Sequence, residues 1–176
     1  SINGMIQIVE DATQVRRDYE YINNVYYETE YLETQGDWLE IEGKGRYNTV
    51  DKACAAASDG DTIKVIADTH VAFNQTCEAG KTLTFDENGH SVSFTYPITF
   101  NSNMTFIDSV GHGLLSNQKG DMIITQGNAT FESGTYEVIN NTSGSALYSK
   151  HNTTITGGTF KSGNSETINN AGTMIF

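Results

Sequence analysis

The sequence predicts an all-β protein: a right-handed parallel β-helix (a solenoid), preceded by a small β segment and capped at its N-terminal end by a short α-helix. Three observations predict this fold. Most polar residues are uncharged, the chain has 17 glycines but a single proline, and a short strand-like pattern recurs every 20 to 25 residues. Only 37% of the 176 residues are hydrophobic. A solenoid needs few apolar residues per strand, because each coil stacks its apolar side chains on those of its neighbours.

The repeat is clearest after residue 80, where short strands of one pattern align at steps of 21, 25, 24 and 20 residues. The aligned positions, which we expect to form one interior column, are Leu83, Met104, Ala129, Thr153 and Thr173. A second column is expected at Val92, Leu114, Tyr136 and Phe160. An antiparallel sandwich is the competing all-β fold, and it predicts no fixed long period. The period therefore favours coils that lie on top of one another in register.

One amphipathic helix is predicted at about residues 48–59, directly before the first coil. Asn48 or Thr49 can cap its N terminus, and Gly60 can end it in the left-handed conformation. Its apolar stripe has helical spacing and comprises Val50, Ala53, Cys54 and Ala57. The residues expected beneath the stripe are Ile63, Val65 and Leu83. The helix would thus cover the open strand edge of the first coil, which could otherwise pair with another chain.

Residues 1–45 are predicted to be a separate acidic β segment, and residues 46–176 the β-helix. The segment holds ten acidic residues, three basic residues and five of the nine tyrosines. Its alternation of aromatic and polar residues predicts strands, and Asn23-Asn24 can turn the chain into a hairpin. The tyrosines that could form a ligand-binding platform for glycans are Tyr19, Tyr21, Tyr27 and Tyr31. A packed strand face is the alternative for the same side chains.

The formal charge is −12, from 10 basic and 22 acidic residues. Such a chain repels phosphate backbones and anionic lipid, so neither nucleic-acid binding nor membrane insertion is expected. The last residues, Met174-Ile175-Phe176, form an apolar strand with no capping segment after them. We therefore expect the β-helix to be truncated here, or its open end to be covered by a partner or by self-association.

Three carboxylates are candidates for a calcium site, and no other cofactor is expected. Asp86 and Glu132 each follow an aligned phenylalanine, and Asp108 comes one place later. Stacking would bring them to one edge of the solenoid, and calcium takes six to eight oxygen ligands. Solvated turn carboxylates are the alternative.

Cys54 and Cys77 are the only cysteines, and either a disulfide or two buried thiols fits them. In an exported protein, a bond between them would close a loop of about two dozen residues and stabilise the fold by roughly 3 kcal/mol.

Three stretches carry a family resemblance: Tyr47-Asn-Thr-Val-Asp-Lys-Ala-Cys-Ala-Ala-Ala57, Gly60-Asp-Thr-Ile-Lys-Val65 and Gly80-Lys-Thr-Leu-Thr-Phe-Asp-Glu-Asn-Gly-His90. They resemble the opening of right-handed β-helix modules, of the pectin-lyase-like fold, in large surface proteins of gut Gram-positive bacteria. The later Gly134-Thr-Tyr136 and Gly157-Gly-Thr-Phe160 are similar to corners of those coils. The resemblance implies an extracellular, cell-surface location and a role as adhesin or stalk, usually without catalysis. A host surface protein or a glycan is the expected partner of such a module.

The expected function is therefore a non-catalytic adhesin or stalk module. A polysaccharide hydrolase or lyase of the β-helix class is the first alternative, and a phage tail fibre or spike is the second. Gly111-His112-Gly113 is similar to a short motif of β-helix polygalacturonases, but the other motifs of those enzymes are missing. A hydrolase of the inverting kind needs two carboxylates about 6.5–9.5 Å apart, and the sequence shows no such pair. No catalytic residue is predicted.

Overall fold

The computed structural model describes residues 13–78, 80–139, 143–163 and 166–176. The chain divides into two compact units, and the boundary falls after Gly36. The predicted boundary was after residue 45, so residues 37–45 belong to the solenoid unit and not to the N-terminal segment. In the described ranges, no helix has the length and apolar character needed to cross a membrane.

The first unit is an antiparallel hairpin of β1 (Thr13–Ile22) and β2 (Val25–Thr34). Asn23 and Asn24 form its two-residue turn, and both have a positive φ, 50° and 63°. Asparagine tolerates this left-handed conformation, and a turn with two such residues matches the twist of the paired strands. The predicted hairpin and its turn are confirmed.

The second unit begins with β3 (Leu39–Ile41), β4 (Gly45–Tyr47) and α1 (Val50–Ala56). Five coils of three strands each follow, and a last strand begins a sixth coil. The first three coils are β5 (Thr62–Val65), β6 (Thr69–Val71) and β7 (Gln75–Cys77); β8 (Thr82–Asp86), β9 (Ser91–Phe94) and β10 (Ile98–Phe100); and β11 (Asn103–Ile107), β12 (Leu114–Asn117) and β13 (Ile123–Thr125). The remaining strands are β14 (Ala129–Phe131), β15 (Thr135–Val138) and β16 (Leu147–Ser149); β17 (Thr153–Ile155), β18 (Thr159–Ser162) and β19 (Ile168–Asn170); and β20 (Met174–Ile175).

The coils stack into three parallel sheets, because each strand pairs with its equivalents in the coils before and after it. We call them sheet 1, which begins at β5, sheet 2, which begins at β6, and sheet 3, which begins at β7. Sheet 1 also includes β3 and β4, which join it in antiparallel pairing. The predicted all-β fold with a parallel β-solenoid, one short helix and a small preceding β segment is confirmed.

The first predicted column is confirmed at four positions and shifted at the fifth. Leu83, Met104, Ala129 and Thr153 are Cα partners in successive coils, but the next partner is Met174 and not Thr173. In the second column, Leu115 replaces the predicted Leu114. Side chains alternate between the two faces of a strand, so a shift of one residue moves a position from the interior to the surface.

Aromatic rings fill the interior beside the first column. Phe106 and Phe131 stack almost in parallel, with ring centroids 4.4 Å apart and an interplanar angle of 9°. Phe100 and Tyr136 meet Phe106 edge to face. Burial of one phenylalanine side chain contributes roughly 1.5–3 kcal/mol, so these rings supply much of the core.

The cap of the first coil is made by β3 together with the helix. Leu39 pairs with Val65, so β3 covers the edge of sheet 1. Helix α1 contacts β7, β3 and β4, and thus covers the edge of sheet 3. Asp51 Oδ1 accepts the Thr76 N–H at 3.0 Å, which satisfies a backbone group of the edge strand β7. The predicted cap helix thus lies against sheet 3, and its apolar stripe belongs to the same buried cluster as Ile63, Val65 and Leu83. The strand β3, which was not predicted, covers the edge of sheet 1.

Helix α1 begins as predicted and ends earlier. The Thr49 hydroxyl caps its N terminus by accepting the Lys52 N–H at 3.1 Å. The last helical residue is Ala56, and Gly60 has its positive φ of 87° in the turn beyond. The Lys81 ammonium donates to the carbonyls of three residues at this helix end, at 2.9, 3.2 and 2.5 Å: Cys54, Ala55 and Ala57. A cation from the second coil thus satisfies the carbonyls that helix geometry leaves unpaired.

A disulfide joins Cys54 on the helix to Cys77 on β7, with 5.5 Å between the Cα atoms. Of the two alternatives that the sequence left open, the structure has the bonded one. The bond fastens the cap to the first coil.

Candidate functional site

A group of neighbouring carboxylates lies where sheet 1 turns into sheet 2, in the second and third coils. We call it the carboxylate corner, and it consists of Asp86, Glu87 and Asp108. Asp86 ends β8 and Asp108 follows β11, so stacking brings these two together, as the sequence predicted. Glu87 was not predicted.

Asp86 fastens the second coil to the third. Its Oδ1 accepts the Asn88 N–H at 2.8 Å and the Ser109 N–H at 2.9 Å. Its Oδ2 accepts the Ser109 hydroxyl at 2.6 Å. Both carboxylate oxygens thus have hydrogen bonds within the fold.

Asp108 organises the glycine-rich turn that follows β11. It accepts the N–H groups of Gly89, Gly111 and Gly113 at 2.8, 3.0 and 2.8 Å. Burial opposes ionisation of Asp108, but these backbone donors favour the charged form and lower its pKa overall. His112 lies in this turn with a φ of 66°, and its side chain is exposed. The Gly111–Gly113 motif is therefore a turn wound around Asp108.

Glu87 is the chemically unusual member of the corner. Its side chain is fully buried, and the Thr135 N–H of the fourth coil lies 3.1 and 3.3 Å from its two carboxylate oxygens. Burial raises its pKa to about 8, the Thr135 N–H opposes the shift, and the charges of Asp108 and Asp86 add to it. At neutral pH the carboxyl group is therefore mostly protonated.

Glycines make room for Glu87. A Cβ at Gly113 would lie 2.5 Å from Glu87 Oε2, and one at Gly134 would lie 2.8 Å from Oε1. Gly134 also has a φ of 102°, which favours glycine. Glu87 was missed because it looks like the second residue of an acidic turn, and the groups that enclose it come from later coils.

The three predicted calcium ligands do not converge as a ligand set. Asp86 and Asp108 direct oxygens at backbone N–H groups, and the Glu132 side chain is exposed. Across the described ranges, no group of three or more His, Cys, Asp or Glu side chains could hold a metal ion. Calcium binding stays a prediction.

The hairpin register divides the predicted tyrosine platform between two faces. Tyr21 pairs with Tyr26, and Glu20 pairs with Tyr27. Positions 19 and 21 therefore share one face, and positions 27 and 31 share the other. The Tyr19 and Tyr31 side chains lie outside what the structure describes. Tyr26, which the sequence pattern did not single out, is 70% exposed, and its ring lies 5.5 Å from that of Tyr21.

No protein-family model, no curated protein and no solved structure matches this chain. The class of the protein therefore rests on its own geometry: a parallel β-solenoid with a disulfide-fastened cap.

Proposed function

We propose that this chain is a non-catalytic module of an extracellular cell-surface protein, either an adhesin or a stalk that carries a binding site. One observation carries this proposal: the Asp86 and Asp108 side chains of the carboxylate corner accept backbone N–H groups of the solenoid itself. Asp86 and Asp108 thereby join the second and third coils. The corner serves the rigidity of the frame, which is what a spacer or a binding scaffold requires.

Dimensions and covalent chemistry support a spacer outside the cell. Stacked strands are about 4.8 Å apart, so five coils extend the solenoid by roughly 20 to 25 Å. The Cys54–Cys77 disulfide closes the cap, and such bonds persist in oxidising compartments. The resemblance to β-helix modules of the pectin-lyase-like fold in bacterial surface proteins points to the same location.

Exposed aromatic residues of the hairpin are the proposed contact surface for a host protein or a glycan. Tyr21 and Tyr26 are 64% and 70% exposed, and Tyr27 is exposed on the opposite face. Tyrosine rings supply a large contact area and a hydroxyl group at a low entropy cost, and they are enriched in binding interfaces.

An array of glycans and host surface proteins, probed with the labelled chain, tests the proposal. We expect binding to at least one class of ligand, and Tyr26→Ser should weaken it about tenfold. Tyr148→Ser, which removes a half-buried ring from sheet 3, is the matched control and should leave binding unchanged. Equal binding by both variants and the parent chain would exclude the hairpin as the contact surface.

A polysaccharide hydrolase or lyase is the second candidate, and Glu87 is the observation that favours it. A buried carboxyl group with a raised pKa can act as a proton donor near neutral pH. The test measures reducing ends or unsaturated products released from polysaccharides. We expect no release. Release that Glu87→Gln abolishes and Glu132→Gln retains would replace the adhesin proposal with an enzyme.

A further inference from the structure

The outer face of sheet 2 carries a groove with a volume of about 230 Å³. It lies along β6, β9 and β12, and the loop after β12 forms one wall. The polar residues that line it are His70, Ser93, Thr95, Ser116, Gln118 and Lys119. Ile139 supplies an apolar wall. None of these residues belongs to the carboxylate corner.

The register of sheet 2 arranges part of this lining as a row. His70, Ser93 and Ser116 are Cα partners in three successive coils, so their side chains lie about 4.8 Å apart along the outer face. The His70 ring is held in place, with Nδ1 2.7 Å from the Ser93 hydroxyl and Nε2 3.0 Å from the Thr95 hydroxyl. The row thus presents ordered groups that can both donate and accept hydrogen bonds.

Two polar groups of the groove have no partner within the described part of the chain. Ser116 is only 6% exposed, and its hydroxyl makes no hydrogen bond there. Among the described residues, the fully buried side-chain atoms that lack a partner are Asn101 Oδ1 and Thr125 Oγ1, so the Ser116 hydroxyl is open to water or to a ligand in the groove. The Lys119 ammonium has neither an ion pair nor a hydrogen bond among those residues.

The backbone at Lys119 is held in place, and its side chain is exposed. The buried Asn117 accepts the Lys119 backbone N–H at 3.0 Å and donates to the Asp121 carbonyl at 3.0 Å, which shapes the loop. The groove therefore offers one cation on a hydrogen-bonded loop, in a chain whose net charge is −12. None of its lining residues is a carboxylate, and Glu137, the Cα partner of Ser116 in the fourth coil, comes next on the outer row beyond the lining.

From this lining we infer that the groove binds a single sugar ring that carries one negative charge. The Lys119 ammonium would pair with the anionic group, and the row formed by His70, Ser93 and Ser116 would bond the ring hydroxyls. The volume is below the roughly 300–1,000 Å³ of pockets for drug-sized ligands, which suits one ring and not an extended chain. The anionic group is a carboxylate or a sulfate ester. The inference rests on the proposed binding function and names a ligand class for it.

Calorimetric titration of the full chain with three sugars tests this. The probes are methyl β-glucuronide, glucose 6-sulfate and the neutral methyl β-glucoside. We expect at least one anionic sugar to bind tenfold or more tightly than the neutral one, and the tighter anion identifies the group. Lys119→Gln should reduce that affinity to the neutral level. Lys161→Gln is the matched control, because Lys161 is an exposed lysine on the outer row of sheet 2, in the fifth coil.

The inference is overturned if neither anionic sugar binds more tightly than the neutral one, or if Lys119→Gln and Lys161→Gln have equal effects. Its failure can be told apart from failure of the proposed function. If the parent chain and the Lys119→Gln variant bind the same ligand of the array equally well, the proposed sugar site in the groove is wrong and the adhesin proposal stands. If Lys119-dependent binding is found together with cleavage of polysaccharides, the groove stands and the non-catalytic proposal fails.

Discussion

The β1–β2 hairpin and the solenoid both consist of short, paired strands, but they bury their aromatic residues differently. The hairpin pairs neighbouring strands through a two-residue turn and leaves Tyr21 and Tyr26 mostly exposed. The solenoid pairs strands from successive coils and buries Phe106 and Phe131 completely. The difference indicates that register comes from the turn in the hairpin and from stacked interior columns in the solenoid. Substitutions should therefore affect stability in the solenoid and ligand contact in the hairpin.

The largest expected effect is the loss of an interior ring. Phe106→Ala should lower the free energy of unfolding by about 3–5 kcal/mol, because it leaves a cavity between stacked coils. Tyr26→Ala, in the hairpin, should change it by less than about 0.5 kcal/mol. Trp38 is the only tryptophan and is buried in the solenoid unit, so its fluorescence during urea unfolding reports on that unit. Equal losses of unfolding free energy in the two variants would contradict the different roles of the aromatic residues in the solenoid and in the hairpin.

Glu87 should make the stability of the solenoid depend on pH. The unfolded carboxyl ionises near its ordinary pKa of 4.5, whereas the folded one stays protonated up to about 8. The unfolded state therefore gains free energy from ionisation across this window, and the folded state loses stability as the pH rises. From pH 5 to 7 the loss should be about 3 kcal/mol, at roughly 1.4 kcal/mol per pH unit.

Urea unfolding at several pH values measures this slope. Glu87→Gln should flatten it, and Glu132→Gln, an exposed carboxylate, should leave it unchanged. An unchanged slope in Glu87→Gln would show that another group titrates. Below about pH 4 we expect stability to fall as the pH is lowered further. The pKa of Asp108 is lowered in the folded state, so its ionised carboxylate stabilises the fold, and this stabilisation is lost as the pH falls through the folded pKa of Asp108.

The disulfide should stabilise the solenoid and not the hairpin. Replacing Cys54 and Cys77 together by serine should cost roughly 3 kcal/mol, because the unfolded chain regains the freedom of the closed loop. The unfolding midpoint measured by Trp38 fluorescence should move to a lower urea concentration. Circular dichroism of the isolated hairpin peptide with and without reductant provides the comparison. If neither the substitution nor reductant changes the urea midpoint of unfolding, the disulfide does not stabilise the cap.

The smallest effect concerns the end of the cap helix. Lys81→Met should lower the free energy of unfolding by about 1–2 kcal/mol, because three carbonyls at the end of α1 lose a charged donor. The rate of amide hydrogen exchange should increase more in α1 than in the rest of the solenoid unit. Lys64→Met is the control, since within the described ranges Lys64 makes only a partly exposed ion pair with Glu40, at 3.9 Å. Equal exchange in the two variants would exclude Lys81 as the cap.

The repeat made the architecture predictable, and single-residue offsets limited the detail. Leu83, Met104, Ala129 and Thr153 align at a nearly constant step, so their column could be recognised without coordinates. Leu114 and Leu115 are both apolar, so the sequence could not tell which one faces inward. Turn lengths vary between coils, and one residue more or less in a turn exchanges the two faces of the next strand.

The amino-acid sequence by itself determined the stacked parallel strands, the Asn23-Asn24 turn and the start of the helix at Asn48-Thr49, because each depends on residues within one strand, one turn or one repeat. Only the tertiary structure decided that β3 covers sheet 1, that Cys54 bonds Cys77, and that Glu87 is buried. These features depend on groups from different coils. The pKa of Glu87 reflects burial and the Thr135 N–H of the fourth coil, which meet only when the chain has coiled.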